Sequence, residues 1–243
     1  MGRYRVNLEV GRDGSCMAHV VELPGCIAMG ATREETVAAA REAIARHLAW
    51  LRQHGEPAPA DDGIDVEVAE TVSAAGSFPG TPGDQVGFFA SDREPPTDEE
   101  IERALRWAEY SRRDLLALFQ DVPRQAPSTG SGQALDWSPD LPAGRQAAGP
   151  WTMRRILEHI ASAEAFYVTR LDAEADRGPS SLLSVLRDAA SRRLRSLSSE
   201  ERATVRTPRG EPWSARKVLR RFLEHEHEHL GQLRELVERY RGS

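Results

Sequence analysis

Leu223-Glu224-His225-Glu226-His227-Glu228-His229-Leu230 alternates three histidines with three glutamates, and everything else depends on which way those side chains point. Taken alone, the run reads as a solvated, charged helix surface. Its flanks argue otherwise. Val218, Phe222, Leu233, Leu236 and Tyr240 recur at helical spacing, and the apolar stripe they define passes through His225 and His229. At about 100° per residue, a four-residue step rotates by only ~40°, so these two imidazoles share a face one turn apart. His227 lies roughly 200° from His225 and is expected to face solvent with the acidic residues.

Two imidazoles turned inward side by side are costly unless something pairs with them. A neutral imidazole is a good ligand for borderline divalent metals, and the i, i+4 spacing lets two of them reach one ion. A third ligand must then come from another element. His159 neighbours the apolar row Ile156, Ile160, Ala163 and Tyr167, and so faces or borders the same interior. Three histidines leave a fourth position open, the arrangement of a catalytic rather than a structural site. Histidine pairs at this spacing are also common on helix surfaces, and spacing alone leaves both readings open.

The pattern around these histidines is helical. Thr97, with Glu100 three residues on, starts a helix expected to reach about Gln120, its inner face carrying Ile101, Leu105, Ala108, Leu115 and Leu118. Further helices are expected from Thr152 to about Ala175, Ser181 to about Leu197, and Ser214 to about Tyr240. Pro150-Trp151-Thr152-Met153-Arg154-Arg155-Ile156-Leu157 is echoed by Pro212-Trp213-Ser214-Ala215-Arg216-Lys217-Val218-Leu219. Each copy offers an N-cap hydroxyl after a stapling tryptophan, which fixes where two of these helices begin. Four amphipathic helices of this length fit a four-helix bundle over 98–243. The Pro/Gly-rich stretch 122–150 between the first two is a candidate lid, with Leu135 and Trp137 as anchors.

Residues 1–72 read differently. Tyr4-Arg5-Val6-Asn7-Leu8-Glu9-Val10 alternates with period two, a half-buried strand, and Gly11 to Ser15 supplies a turn. Met17 to Leu23 and Cys26 to Met29 read as further strands, separated by Pro24-Gly25. Thr32 and Glu35 form a capping box for a helix with the stripe Val37, Ala40, Ile44, Leu48 and Leu51, ended by Gly55 and Pro57. Ile64, Val66 and Val68 alternate as a last strand. The fold class is therefore multidomain: a small ββ(β)αβ module of α+β type, a linker at 73–97, then the all-α bundle. Gly87-Phe88-Phe89 within the linker is too apolar to float and is expected to pack on one domain.

Composition bounds the function. Residues 1–75 hold seven Arg against twelve acids, and the other 168 hold twenty-five Lys or Arg against twenty-six acids. Neither part has the basic excess of a protein that grips nucleic acid through phosphates. A mean hydropathy of −0.53 and no apolar run near ~20 residues exclude a membrane span. The N-terminal stretch lacks the apolar core of a signal peptide, so a cytoplasmic location is expected. Two cysteines, Cys16 and Cys26, are too few for a disulfide scaffold and are expected to be inert buried thiols.

Ile156-Leu157-Glu158-His159-Ile160-Ala161-Ser162-Ala163-Glu164 and Glu224-His225-Glu226-His227-Glu228-His229-Leu230-Gly231-Gln232 together resemble the DinB-like superfamily of metal-binding four-helix bundles, over about 98–241. The shared marks are one histidine on the second helix and His-x-x-x-His followed by x-Gly-Gln on the last. The resemblance implies that His159, His225 and His229 ligate one divalent transition metal, such as zinc, nickel or iron. It also implies an enzyme class, transferases and isomerases that use a low-molecular-weight thiol such as mycothiol or bacillithiol. Glu164 and Glu228 are candidate general bases. Arg154, Arg155, Arg192, Arg193, Arg216 and Arg220 are either anion-binding groups for such a ligand or solvated surface charges.

Tyr4-Arg5-Val6, Asp13-Gly14, Glu22-Leu23-Pro24-Gly25-Cys26 and Gly30-Ala31-Thr32-Arg33-Glu34-Glu35-Thr36 resemble the HicB-like antitoxin fold. Such modules commonly bind a protein toxin and often carry a DNA-binding segment, whose place the helical half takes here. Two functions follow as expectations. One is a metal-dependent enzyme with a small-molecule substrate. The other is a non-catalytic interaction or regulatory protein, its module binding a protein partner while the metal stabilises the bundle. A homodimer is expected in either case.

Overall fold

A computed structural model describes residues 2–59, 63–74, 86–118, 152–171 and 183–241. The expected lid at 122–150 with Leu135 and Trp137, the Trp151 staple, and the helix ends placed at Gln120, Ala175 and Ser181 lie outside them.

Strands β1 (Gly2–Val10), β2 (Cys16–Val20), β3 (Ile27–Gly30) and β4 (Ile64–Ser73) form one sheet in the order β3-β2-β1-β4. β1 pairs antiparallel with β2, placing Val6 opposite Val20, and parallel with β4, placing Val6 opposite Val68. Helix α1 (Arg33–Gln53) lies on the sheet, its Thr32 N-cap accepting from Glu35 N. Ala40, Ile44, Leu48 and Leu51 on α1 and Val6 and Leu8 on β1 are fully or nearly fully buried in one cluster.

Three expectations about this module need correction. β2 ends at Val20 rather than Leu23, because Gly25 adopts φ +92° and the chain turns through Leu23 O accepting from Cys26 N at 2.9 Å. β4 runs on to Ser73 alongside β1. β1 is not half-exposed either: Asn7 and Glu9, on the face away from Val6 and Leu8, are also buried. That second face is covered by residues 86–93 and by the helical half of the chain. Phe89 has no exposed surface; its ring lies tilted 5.2 Å from that of His19 and sits under the Arg220 guanidinium at 4.9 Å. Asp92 closes a single 3₁₀ turn, Ala90–Arg93, by accepting from Phe89 N at 3.0 Å. The described end of the expected linker is thus a wedge gripped from both sides.

The C-terminal half contains α2 (Asp98–Ala117), α3 (Met153–Thr169), α4 (Leu183–Arg195), a short α5 (Ser199–Ala203) and α6 (Ala215–Arg241). Thr97 and Glu100 form the capping box of α2, Thr152 caps α3, and Ser214 Oγ accepts from Lys217 N at the start of α6. The four long helices pack in a ring: α2 on α6, α6 on α3, α3 on α4, α4 on α2. Leu115, Met153, Ile156, Ile160, Leu230, Leu233 and Val237 fill its far end. Nearer the module, Ile101, Leu105, Leu219 and Leu223 join Ile44 and Leu48 in one continuous core. α6 is therefore the central element, enclosed by helices on some sides and by the module on another.

Candidate metal centre

α3 and α6 bring His159, His225 and His229 together. Their ring centroids are 4.7 Å apart for His159 and His225, 4.8 Å for His159 and His229, and 4.4 Å for His225 and His229. The Nε2 atoms face inward, that of His225 lying 2.9 Å from His159 Nε2 and 3.1 Å from His229 Nε2. One ligand atom from each residue falls within 4.8 Å of the others, and His225 and His229 are buried.

The ring chemistry of this cluster is specific. His229 Nδ1 lies 2.7 Å from Gln232 Oε1, so Nδ1 carries the proton and donates, leaving Nε2 a lone pair. His225 Nε2 sits between the other two Nε2 atoms and can point a single N–H at only one of them. A shared cation satisfies all three. Protonation would not, because the rings repel one another when charged. Burial, then His229, Arg221 and His159, hold the His225 imidazole far below its ordinary pKa. Burial lowers His229 to about 4, partly offset by Gln232, and lowers His159 as well. All three are neutral at pH 7, the form that binds metal.

His227 does not face solvent as expected. Its ring packs 4.7 Å from Trp50 and 5.4 Å from His47, and both its nitrogens are buried without a hydrogen-bond partner. Gly25 makes room for it, since a Cβ there would lie 2.7 Å from His227 Nδ1. The apolar stripe of α6 taken alone marks one buried face. The module covers a second one. Leu219 and Leu223, each one position beyond Val218 and Phe222, widen the apolar stripe and were the signal for it.

The glutamates of the run are likewise inside. Glu224 Oε1 lies 2.7 Å from His19 Nδ1, and Oε2 accepts from Arg220 and Arg221 at 3.1 Å each. Burial alone would raise the Glu224 pKa, but Arg220, His19 and Arg221 outweigh it and hold the carboxyl far below the usual range. Glu226 binds Arg112 and Arg187, and both arginines also bind Glu164. Glu164 is thus locked between two guanidiniums, although burial still raises its pKa. It is poorly placed for a general base. Glu228 is half-buried, with a pKa raised by burial. Of the six arginines singled out by sequence, Arg193, Arg216 and Arg220 hold Glu201, Glu100 and Asp92, and Arg192 is exposed. Cys16 and Cys26 are free and buried, and burial pushes the Cys26 thiol up to about 12, an inert group.

A ring of four helices in which two neighbours, α3 and α6, pool three neutral imidazoles defines a class of metal-site proteins built on helices. The chain belongs to the DinB superfamily, whose family model matches residues 108–233. Its N-terminal region is similar to a UPF0150 protein of Thermoplasma acidophilum, with 32% identity over 66 residues, 27% of this chain and 96% of that protein. This agrees with the HicB-like pattern of that region. No solved structure matches the chain at a significant level. Among the described residues, no helix is long and apolar enough to cross a membrane.

Proposed function

We propose that His159, His225 and His229 hold one divalent transition-metal ion through Nε2, and that the protein is a metal-dependent enzyme acting on a low-molecular-weight thiol. The observation that carries the metal reading is the convergence of one ligand nitrogen from each of the three rings within 4.8 Å, His225 Nε2 lying 2.9 and 3.1 Å from the other two Nε2 atoms, with Gln232 fixing the tautomer of one. Three protein ligands leave room for an exogenous one. Bound there, a divalent ion supplies a Lewis acid that lowers the pKa of a thiol entering the open position. The chain's own contribution is to keep the imidazoles neutral, orient them and limit water through Tyr167, whose ring lies 5.7 Å from that of His225. Transfer to, or isomerisation of, a small electrophile is the reaction type in keeping with such a site.

Metal analysis of the purified chain tests the first part: one ion per chain, lost in His159→Ala and in His225→Ala. Full metal content in both variants overturns the assignment. Cobalt substitution tests the second part, because a thiol that enters the open position changes the cobalt spectrum. A spectrum indifferent to added thiols favours a second reading, in which the metal stabilises the helices and the module recognises a protein partner. That alternative draws on the packing of the module against the back of α6, where His19 meets Glu224.

A further inference from the structure

A cleft of about 340 Å³ opens between the module and the helical half, walled by β1 and β2, the 91–94 turn, α2 and the start of α6. This volume suits a small molecule. None of the three clustered histidines lines it, so it is separate from the metal centre.

Its charges are mostly spoken for. Arg5 holds Glu22 at 2.7 Å, Arg216 holds Glu100 at 2.9 Å and Arg220 holds Asp92 at 2.9 Å. Two lining charges stand apart. Arg103 forms no ion pair among the described residues; its guanidinium lies only over the Trp107 ring at 5.7 Å. Glu94 is exposed and makes no ion pair among the described residues, the Arg5 guanidinium feeling its charge only from beyond contact distance. Val20, Pro24, Ala104 and Leu219 give the cleft apolar wall between these charges.

We infer that this cleft binds a small zwitterion, a free amino acid or short peptide with apolar side chains, its carboxylate on Arg103 and its ammonium near Glu94. A simple anion would satisfy Arg103 but meet the repulsion of Glu94, and a simple cation the reverse. A ligand with both charges satisfies both, while its side chain buries against Leu219 and Trp107. The paired arginines add shape and not net charge, so the cleft does not attract polyanions.

Calorimetric titration of the metal-loaded full chain with L-leucine and with leucyl-leucine tests this. Saturable binding of either is expected, weakened at least tenfold when the amine is acetylated or the carboxylate amidated. Arg103→Gln, at a half-buried position, and Glu94→Gln, at an exposed one, are each expected to weaken it tenfold or more with circular dichroism and metal content unchanged. The inference is overturned if neither ligand binds at millimolar concentration. It is equally overturned if blocked ligands or the two variants bind like the originals. Either failure leaves the three-histidine assignment standing, because that is read by metal content.

Discussion

Replacing Glu224 by Gln isolates what the junction between module and helices contributes. Glu224 is 1% exposed and its carboxylate answers three positive or proton-bearing groups: His19, Arg220 and Arg221. The loss is not shared equally. Arg220 keeps Asp92 at 2.9 Å and the Gly87 carbonyl, so it remains paired. Arg221, 4% exposed, keeps a 3.4 Å contact to Tyr167 Oη and the more distant charge of Glu228, but no other carboxylate of the described residues lies within ion-pair distance. A buried cation stripped of its partner costs about 3–5 kcal/mol, and the amide oxygen that remains points to the lower end, ~3 kcal/mol. For a chain of this size, each kcal/mol moves the melting midpoint by about 2–4 °C, giving a fall of roughly 6–12 °C. Thermal and urea denaturation followed by far-UV circular dichroism measure it. Glu67→Gln is the control, since the Arg3–Glu67 pair is 68% and 49% exposed and contributes under about 1 kcal/mol. Arg221→Met added to Glu224→Gln should recover part of the loss, because the stranded charge is gone. A Glu224→Gln protein within about 1 kcal/mol of wild type would refute the reasoning.

Three other outcomes are expected. Gly25→Ala should destabilise by about 2–3 kcal/mol, combining a positive φ of +92° with a Cβ 2.7 Å from His227 Nδ1; an unchanged melting midpoint would mean the turn does not sit against α6. Gln232→Ala should weaken metal binding by about 10–100-fold in chelator competition while leaving the fold intact, and unaltered affinity would remove Gln232 from the site. Burial opposes protonation of His19, but Glu224 and then Glu9 outweigh it and raise its pKa above 6.5, with Arg220 and Asp92 the other charges at this junction. Its contribution is therefore full below pH 6.5 and lost as pH rises through the folded value, so wild type should lose stability in urea as pH rises above about 6.5, relative to His19→Gln. Parallel curves for the two proteins across that window would contradict this.

The helix starts were legible because capping is local. Thr97, Thr152 and Ser214 each sit at an observed helix start, and Thr32 with Glu35 opens α1. The inward direction of His225 and His229 was legible too, since an apolar stripe on the same helix records it. What misled was the polar remainder. Glu224, Glu226 and His227 look like a solvated face when only their own helix is considered. Each is buried by a partner far away in sequence: His19 for Glu224, Arg112 and Arg187 for Glu226, Trp50 and His47 for His227. The short α5, with its Ser198 and Glu201 capping box, was missed because five residues carry no periodicity.

By itself, then, the sequence determined the long helices and the four strands, the caps that open α1, α2, α3 and α6, and which face of α6 carries the histidine pair. Propensity, capping and periodicity act within a few residues of chain, and one strand of text contains them all. Only the tertiary structure decided that His159 meets that pair, that Phe89 is a wedge, and that α6 is enclosed on a second face by the module. Burying Glu224, Glu226 and Arg221 is tolerable only when distant opposite charges arrive together. Local sequence pattern does not record that coincidence.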